Sequence, residues 1–375
     1  MHKKTIGWIA AAAIVAVAGV VLVLAVNGHF SGKQERETGI GAILPMTGGA
    51  AYVGQSCREG MELATVQFKE AHPDGKIRLL VEDSANDPKT GLNALRKLRD
   101  VSNVPIIACV MSAVAEAVLT QFPEQPSLLS VVSQSRSTLN RPNTFRYFLS
   151  SDKETGAMAN FLVKKGAKRA AFLYVNDEFG LDALECFTRH YSSAGGNVVI
   201  RESFEKTGSQ LADIITKTLA ANPEAIFFAG YGAPIAIIAQ RLRESNYTGH
   251  ICSFSSFMAP AVIKQAGNAA NGVFVTTTSF DPTNPGTPEQ TRFVEAYSAK
   301  YGRRPDHYAA YSYDLISIFL QSWSAGGYKM DRALEEMKNI RAYKGVIGVA
   351  SCDKNRDFQF PVGVKVVADG KLVNL

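Results

Sequence analysis

Short apolar runs alternate with amphipathic stretches along nearly all of the chain after Gly39, and the two patterns predict different elements. The runs at 77–81, 104–110, 128–132, 169–175, 197–200, 225–229, 250–254 and 273–276 are short and β-branched or aromatic. Polar residues, Gly or Pro bound them, which predicts strands. Between them, 90–101, 154–165, 178–194, 210–221 and 234–245 repeat apolar residues at three- and four-residue spacing, which predicts helices. Parallel neighbours need a crossover, so this alternation implies an α/β fold with helices on both faces of parallel sheets.

The rhythm breaks after Phe280. A loop reading DPTNPGTP leads into three helical patterns, 289–300, 307–326 and 331–340, with no strand signal between them. From Tyr343 onward the chain turns to short β-runs, and 363–367 and 371–373 flank Asp369-Gly370, a hairpin turn pair.

The N-terminus carries His2, Lys3 and Lys4 before an uncharged apolar run at 6–26. At about 1.5 Å per residue that run matches the roughly 30 Å hydrocarbon core of a bilayer. It exceeds the about 7–15 apolar residues of a cleaved signal, which favours an anchor, while Val23 and Ala25 leave a small-residue cleavage site open. The basic tip stays in the cytoplasm by the positive-inside preference, so everything after Gly32 is expected outside it. The rest exceeds one typical domain, so two lobes are expected.

Lys and Arg number 40 against 34 Asp and Glu, but they are interspersed, and no basic block or aromatic-basic stripe marks a nucleic-acid face. The five cysteines, at 57, 109, 186, 252 and 352, form no C-x-x-C pair and the histidines are isolated, so no metal site, redox motif or cofactor is expected. Export would permit disulfides, an odd count leaves at least one thiol unpaired unless another chain supplies a partner, and most of the five read as small buried hydrophobes.

In open α/β sheets ligands bind outside the carboxyl ends of the strands. Ser112 follows the strand at 104–110 and opens a helix; Ser133 and Ser135 follow 128–132. Hydroxyls and exposed N–H groups at a helix start suit a carboxylate. Tyr52, in the opening loop, and Phe179 and Tyr231 stand after other strand ends and would supply an apolar wall with polar tips. Catalytic signals are weak. Gly54-Gln55-Ser56-Cys57-Arg58 misses the last position of a nucleophile elbow, Gly48-Gly49 lacks the Lys-Ser/Thr of a phosphate loop, and Asn86-Asp87-Pro88 reads as a helix start. No enzyme activity is expected.

The segments GAILPMTGGAAYVGQ, VEDSANDPKTGLNALRKL, IIACVMSA, LLSVVSQSRSTL, FLYVNDEFGLDAL, IFFAGYGAP and PDHYAAYSYDLI, in this order, resemble the leucine/isoleucine/valine-binding protein family. These are the type I periplasmic solute-binding proteins of branched-chain amino-acid ABC transporters. The resemblance implies two Rossmann-like lobes, 39–150 with 279–346 and 151–278 with 347–375, joined by a three-crossing hinge after an N-terminal segment, 1–38. It implies that Ser112 and Ser135 hold a ligand carboxylate, that the Ser133 carbonyl helps hold an ammonium, and that Tyr231 and Phe179 cover the ligand. Tyr52, Val53 and Met111 fall in its side-chain pocket.

Ser255 stands where the family often carries an acid that pairs with the ligand ammonium, and Gln134 stands where relatives often carry a small residue. A buried ammonium without a counter-charge is unfavourable. Either Asp177, Glu178, Asp281 or Asp306 supplies the charge, or the ligand is an aromatic or aliphatic acid without an amino group. Ala85 and Met111 replace the family's cysteine pair in the first lobe, so that disulfide is absent. The expected protein is a monomeric, exported receptor on the outer face of the cytoplasmic membrane, held there by the 6–26 helix if uncleaved. It would deliver a small carboxylate to an ABC-transporter permease; a ligand-sensing ectodomain for a signalling partner is the alternative.

Overall fold

The computed structural model describes residues 38–73, 76–121, 127–134 and 143–375. The apolar run at 6–26 and Ser135 lie outside them, and among the described residues no helix is long and apolar enough to cross a membrane. The first part runs Thr38–Leu44 (β1), Ala51–Ala71 (α1), Ile77–Asp83 (β2), Pro88–Arg96 (α2), Ile106–Val110 (β3), Ser112–Thr120 (α3), Ser127–Val131 (β4) and Thr144–Arg146 (β5). The second runs Ser151–Lys164 (α4), Arg169–Val175 (β6), Glu178–Ser193 (α5), Asn197–Phe204 (β7), Leu211–Ala220 (α6), Ala225–Ala229 (β8), Ala233–Glu244 (α7), His250–Ser253 (β9), Pro260–Ala266 (α8) and Phe274–Thr277 (β10). Three helices follow, Pro288–Tyr301 (α9), His307–Ala325 (α10) and Met330–Lys338 (α11). Short strands end the chain: Tyr343–Lys344 (β11), Val349–Cys352 (β12), Phe358–Gln359 (β13), Gly363–Ala368 (β14) and Lys371–Val373 (β15).

One sheet is ordered β2-β1-β3-β4-β5 and is parallel throughout. A second is ordered β15-β14-β10-β9-β8-β6-β7, with β14 and β15 joining antiparallel at its edge, and β11-β12-β13 form a small antiparallel sheet. Every residue of β3 and of β8 is buried, as expected of parallel strands covered on both faces. In the β14–β15 hairpin Ala368 pairs with Lys371, and Asp369 and Gly370 take φ of 49° and 72°, the turn read from the sequence.

Differences from the expected elements lie at helix starts. Ser150 accepts a hydrogen bond from the Lys153 N–H at 3.3 Å, so α4 begins at Ser151, three residues before the apolar spacing shows it. Similarly Asp87 accepts from the Thr90 N–H at 2.8 Å and Pro88 fits the first turn, so α2 starts before 90 and continues as a π turn over Lys97–Val101. Strand β5, three residues long, is too short to leave a periodic signal.

The chain leaves the first sheet for the second after β5, runs from β10 through α9–α11 to the small sheet β11-β12-β13, and rejoins the second sheet at β14; buried charges tie these passages together. Arg146, 2% exposed, donates from Nε and Nη2 to Asp357 Oδ1 and Oδ2 at 2.9 and 2.7 Å, and from Nη1 to the Gln134 carbonyl at 3.1 Å. Asp314 on α10 accepts from the Tyr147 hydroxyl at 2.9 Å and from the N–H groups of Val346 and Ile347 at 2.8 and 2.9 Å. Burial pushes its carboxyl up to about 6 despite those donors.

Helices α1 and α10 pack so closely that a Cβ on Gly60 would lie 2.1 Å from the Ala309 carbonyl oxygen. All five cysteines are buried, and no disulfide joins them. Gly60→Ala is expected to lower stability by roughly 1–3 kcal/mol, because a backbone carbonyl cannot move aside cheaply. Urea denaturation reads this directly; an unchanged midpoint would contradict the close helix contact.

Candidate functional site

Strands β3 and β4 end side by side, with Val110 in register with Val131. The next residue on each, Met111 and Val132, has positive φ, 83° and 52°. For a β-branched residue that conformation is strained, by of order 1–3 kcal/mol, and such strain gathers at binding sites. Met111 leads directly into α3, whose first N–H groups have no partner within the helix. Ser112 opens that turn, buried, and its Oγ accepts the Gln134 N–H at 3.1 Å. The hydroxyl proton is left to donate to an incoming acceptor.

The facing wall comes from the ends of β6 and β8. Tyr231 donates its hydroxyl proton to Asp177 Oδ2 at 2.6 Å and accepts from Asn86 Nδ2 at 3.2 Å. The Gly232 N–H donates to the Tyr52 hydroxyl at 3.1 Å, with Gly232 at φ 69°. Asn86 and Tyr52 belong to loops and helices of the first sheet, Tyr231 and Gly232 to the second, so two hydrogen bonds already join the halves across the cleft. Asp177 also caps α5 by accepting from the Gly180 N–H at 3.1 Å and lies 3.8 Å from Lys206 Nζ. Phe179 packs edge-on to Phe254 at 5.3 Å. The space left is about 20 Å³, room for about one water molecule.

Val53, Met111, Ser112, Gln134, Phe179, Tyr231 and Ser255 all line that space. Tyr52 stands at its rim, in the first turn of α1 rather than in the preceding loop. Ser133 is fully buried and is not in the lining, and Ser135 lies outside the described residues. Of the four acids considered for a counter-charge, Asp177 is in the lining. Asp306 instead caps α10 and accepts from the Ser56 hydroxyl at 2.7 Å, and Asp281 accepts from Thr283.

Sequence reasoning passed over Asn86, Phe148 and Tyr308 in the lining, and Glu154 beneath it. Glu154 is fully buried. It accepts from Gln134 Nε2, from the Ser255 N–H at 3.1 Å and Oγ at 3.3 Å, and from the Thr276 hydroxyl. A carboxyl from α4 thus reaches the spot where Ser255 had replaced an acid. One signal was present: Glu154, Met158 and Leu162 recur at helical spacing on the buried face of α4, which places an acid among core residues.

Burial pushes the Glu154 carboxyl from 4.5 up to about 7, against the four donors that favour its charge. A folded-state value above the unfolded one means that the folded protein holds more protons in between, so stability falls as pH rises through that window. Wild type is therefore expected to lose stability relative to Glu154→Gln between pH 4.5 and 7, while Asp314, kept in both, drops out of the comparison. Thermal melts across that range test it, and a difference that does not vary with pH would contradict the account.

With the geometry described, comparison with known proteins is informative. A "Leu/Ile/Val-binding protein homolog 1" of Brucella melitensis is 21% identical over 369 residues, 96% of this chain and 95% of that protein. The crystal structure of a leucine-binding protein from Thermotoga maritima is 27% identical with a TM-score of 0.82, covering 90% of this chain and 97% of that one. A Rhodopseudomonas palustris ABC-transporter solute-binding protein in complex with 3,4-dihydroxybenzoic acid has the same fold, at 22% identity and a TM-score of 0.80, covering 90% and 95% of the two chains. The family model described as periplasmic binding protein matches residues 37–367, so this chain belongs to the periplasmic binding protein family.

Proposed function

We propose that the protein is the extracytoplasmic receptor of an ABC transporter and that it closes over a small carboxylate with an apolar body. The carrying observation is Ser112. Its hydroxyl, buried at the start of α3 with one lone pair occupied by the Gln134 N–H, lines the same space as Tyr231, Phe179 and Tyr308. Helix-start N–H groups and a free hydroxyl proton suit a carboxylate, and the aromatic wall suits its body. On this reading 39–150 with 279–346 forms one lobe and 151–278 with 347–375 the other. The bonds Asn86–Tyr231 and Tyr52–Gly232 belong to the closed state, which a membrane permease would read. The apolar run at 6–26 directs export and, uncleaved, would tether the receptor beside that permease.

An acid without an amino group fits best. Glu154 is saturated by its four hydrogen-bond donors beneath Gln134, and Asp177 is engaged by Tyr231, Gly180 and Lys206. The relative crystallised with 3,4-dihydroxybenzoic acid supports an acid of this kind. An amino-acid ligand is the second reading, favoured by the one carboxylate in the lining, Asp177, as partner for an ammonium.

Calorimetry separates these. Losing a hydrogen bond to a charged group removes about 1.5–3 kcal/mol, so Ser112→Ala should weaken a bound carboxylate by roughly 10- to 100-fold; unchanged affinity would remove Ser112 from the site. Wild type should bind leucine no more tightly than 4-methylpentanoate, its counterpart without the amino group. A preference for leucine that Asp177→Asn abolishes would establish the second reading instead.

A further inference from the structure

A second cavity, of about 340 Å³, lies beside the cleft and shares Ser255 with it. Met258, Ile263 and Leu372 form one wall, on segments belonging to the second sheet, its hairpin and the residues around α8. Phe280, Pro305 and Tyr311 form the other, on the passage after β10 and the start of α10. Small-molecule pockets span roughly 300–1,000 Å³, so this space is of ligand size as it stands. The cleft beside it is not.

Three cations, each solvent-exposed, also line the cavity: Lys264, Arg304 and Lys371. None of them makes a side-chain hydrogen bond or an ion pair among the described residues, although eleven other Lys or Arg residues are paired to acids. The two carboxylates in the wall are turned to local caps, Asp306 to Ser56 and the Ala309 N–H, and Asp281 to Thr283. His307, also in the wall, has its pKa lowered by burial and adds no charge at neutral pH. Unpaired cations around an apolar interior match one chemical class, an anion with an apolar body, because the head satisfies the cations while the body leaves water.

We propose that this cavity is a second binding site, for an amphipathic organic anion whose carboxylate meets Lys264, Arg304 and Lys371 and whose apolar chain lies against Met258, Ile263, Phe280 and Leu372. The site is separate from the small-acid cleft and does not depend on what that cleft binds. Its walls come from the second sheet's segments and from the start of α10, which packs on α1, so an occupant stabilises the arrangement in which they meet.

Octanoate is the probe, titrated into the full protein by calorimetry at low salt. Saturable binding of one octanoate per chain is expected, weakened at least about tenfold in Lys264→Ala with Lys371→Ala and by added salt. Ile263→Trp on α8 and Leu372→Trp on β15 should each fill the space and abolish binding. Two separate fillers guard against one that fails to fold, and the melting curve of each shows which is intact. Ser112→Ala, which acts in the cleft, should leave octanoate binding as it was. Equal affinity for 1-octanol would overturn the anionic assignment. Loss of octanoate in Ser112→Ala with retention in both tryptophan variants would place it in the cleft, and absence of saturable binding would overturn the site altogether.

Discussion

A parallel strand cannot pair with its sequence neighbour without a crossover, and the rest of this structure follows from that constraint. Each crossover returns the chain to the same edge, so every loop that leaves a strand's carboxyl end is gathered on one side of its sheet. The two sheets then bring those sides together. Ser112 and Gln134 come from the ends of β3 and β4, and Asp177 and Tyr231 from the ends of β6 and β8. Residues as far apart as Asn86 and Tyr231 meet because of topology, not proximity in the chain.

Buried charge holds this arrangement in one geometry. Arg146 and Asp357 join the passage after β5 to the segment beyond β12, while Asp314 fixes Tyr147 to Val346 and Ile347. Such pairs add little net stability over apolar packing, but breaking one leaves an uncompensated charge, at about 3–5 kcal/mol. They therefore favour one defined arrangement of these segments over a merely sticky one. The Nη1 group of Arg146 reaches the Gln134 carbonyl, and the Gln134 side chain reaches Glu154, so the passage after β5 and the cleft floor share one polar network.

Periodicity in the sequence made the alternation of strands and helices and the C-terminal hairpin legible, and the rule that ligands sit at strand ends pointed to part of the cleft, while Val53, Met111, Gln134 and Ser255 came only from the family resemblance. Ser112, Phe179 and Tyr231 follow from that rule alone. Glu154 did not, since its partners Ser255 and Thr276 lie 101 and 122 residues away and only tertiary packing unites them. Tyr308 was hidden for a related reason. It starts a helix that follows no strand, so the strand-end rule never points to it. Tyr52 was placed in a loop, because the turn at Gly48-Gly49 obscured the start of α1 at Ala51.

The central claim is that the cleft accepts a small carboxylate. A thermal-shift screen of monocarboxylic acids, amino acids and neutral sugars tests it most directly, since a ligand that binds only the folded state raises its melting midpoint, by about 2.7 kcal/mol of stabilisation at a hundredfold excess over Kd. The account predicts stabilisation by one or more small monocarboxylic acids and none by sugars. Stabilisation by a neutral sugar, with every carboxylate inert, would contradict it.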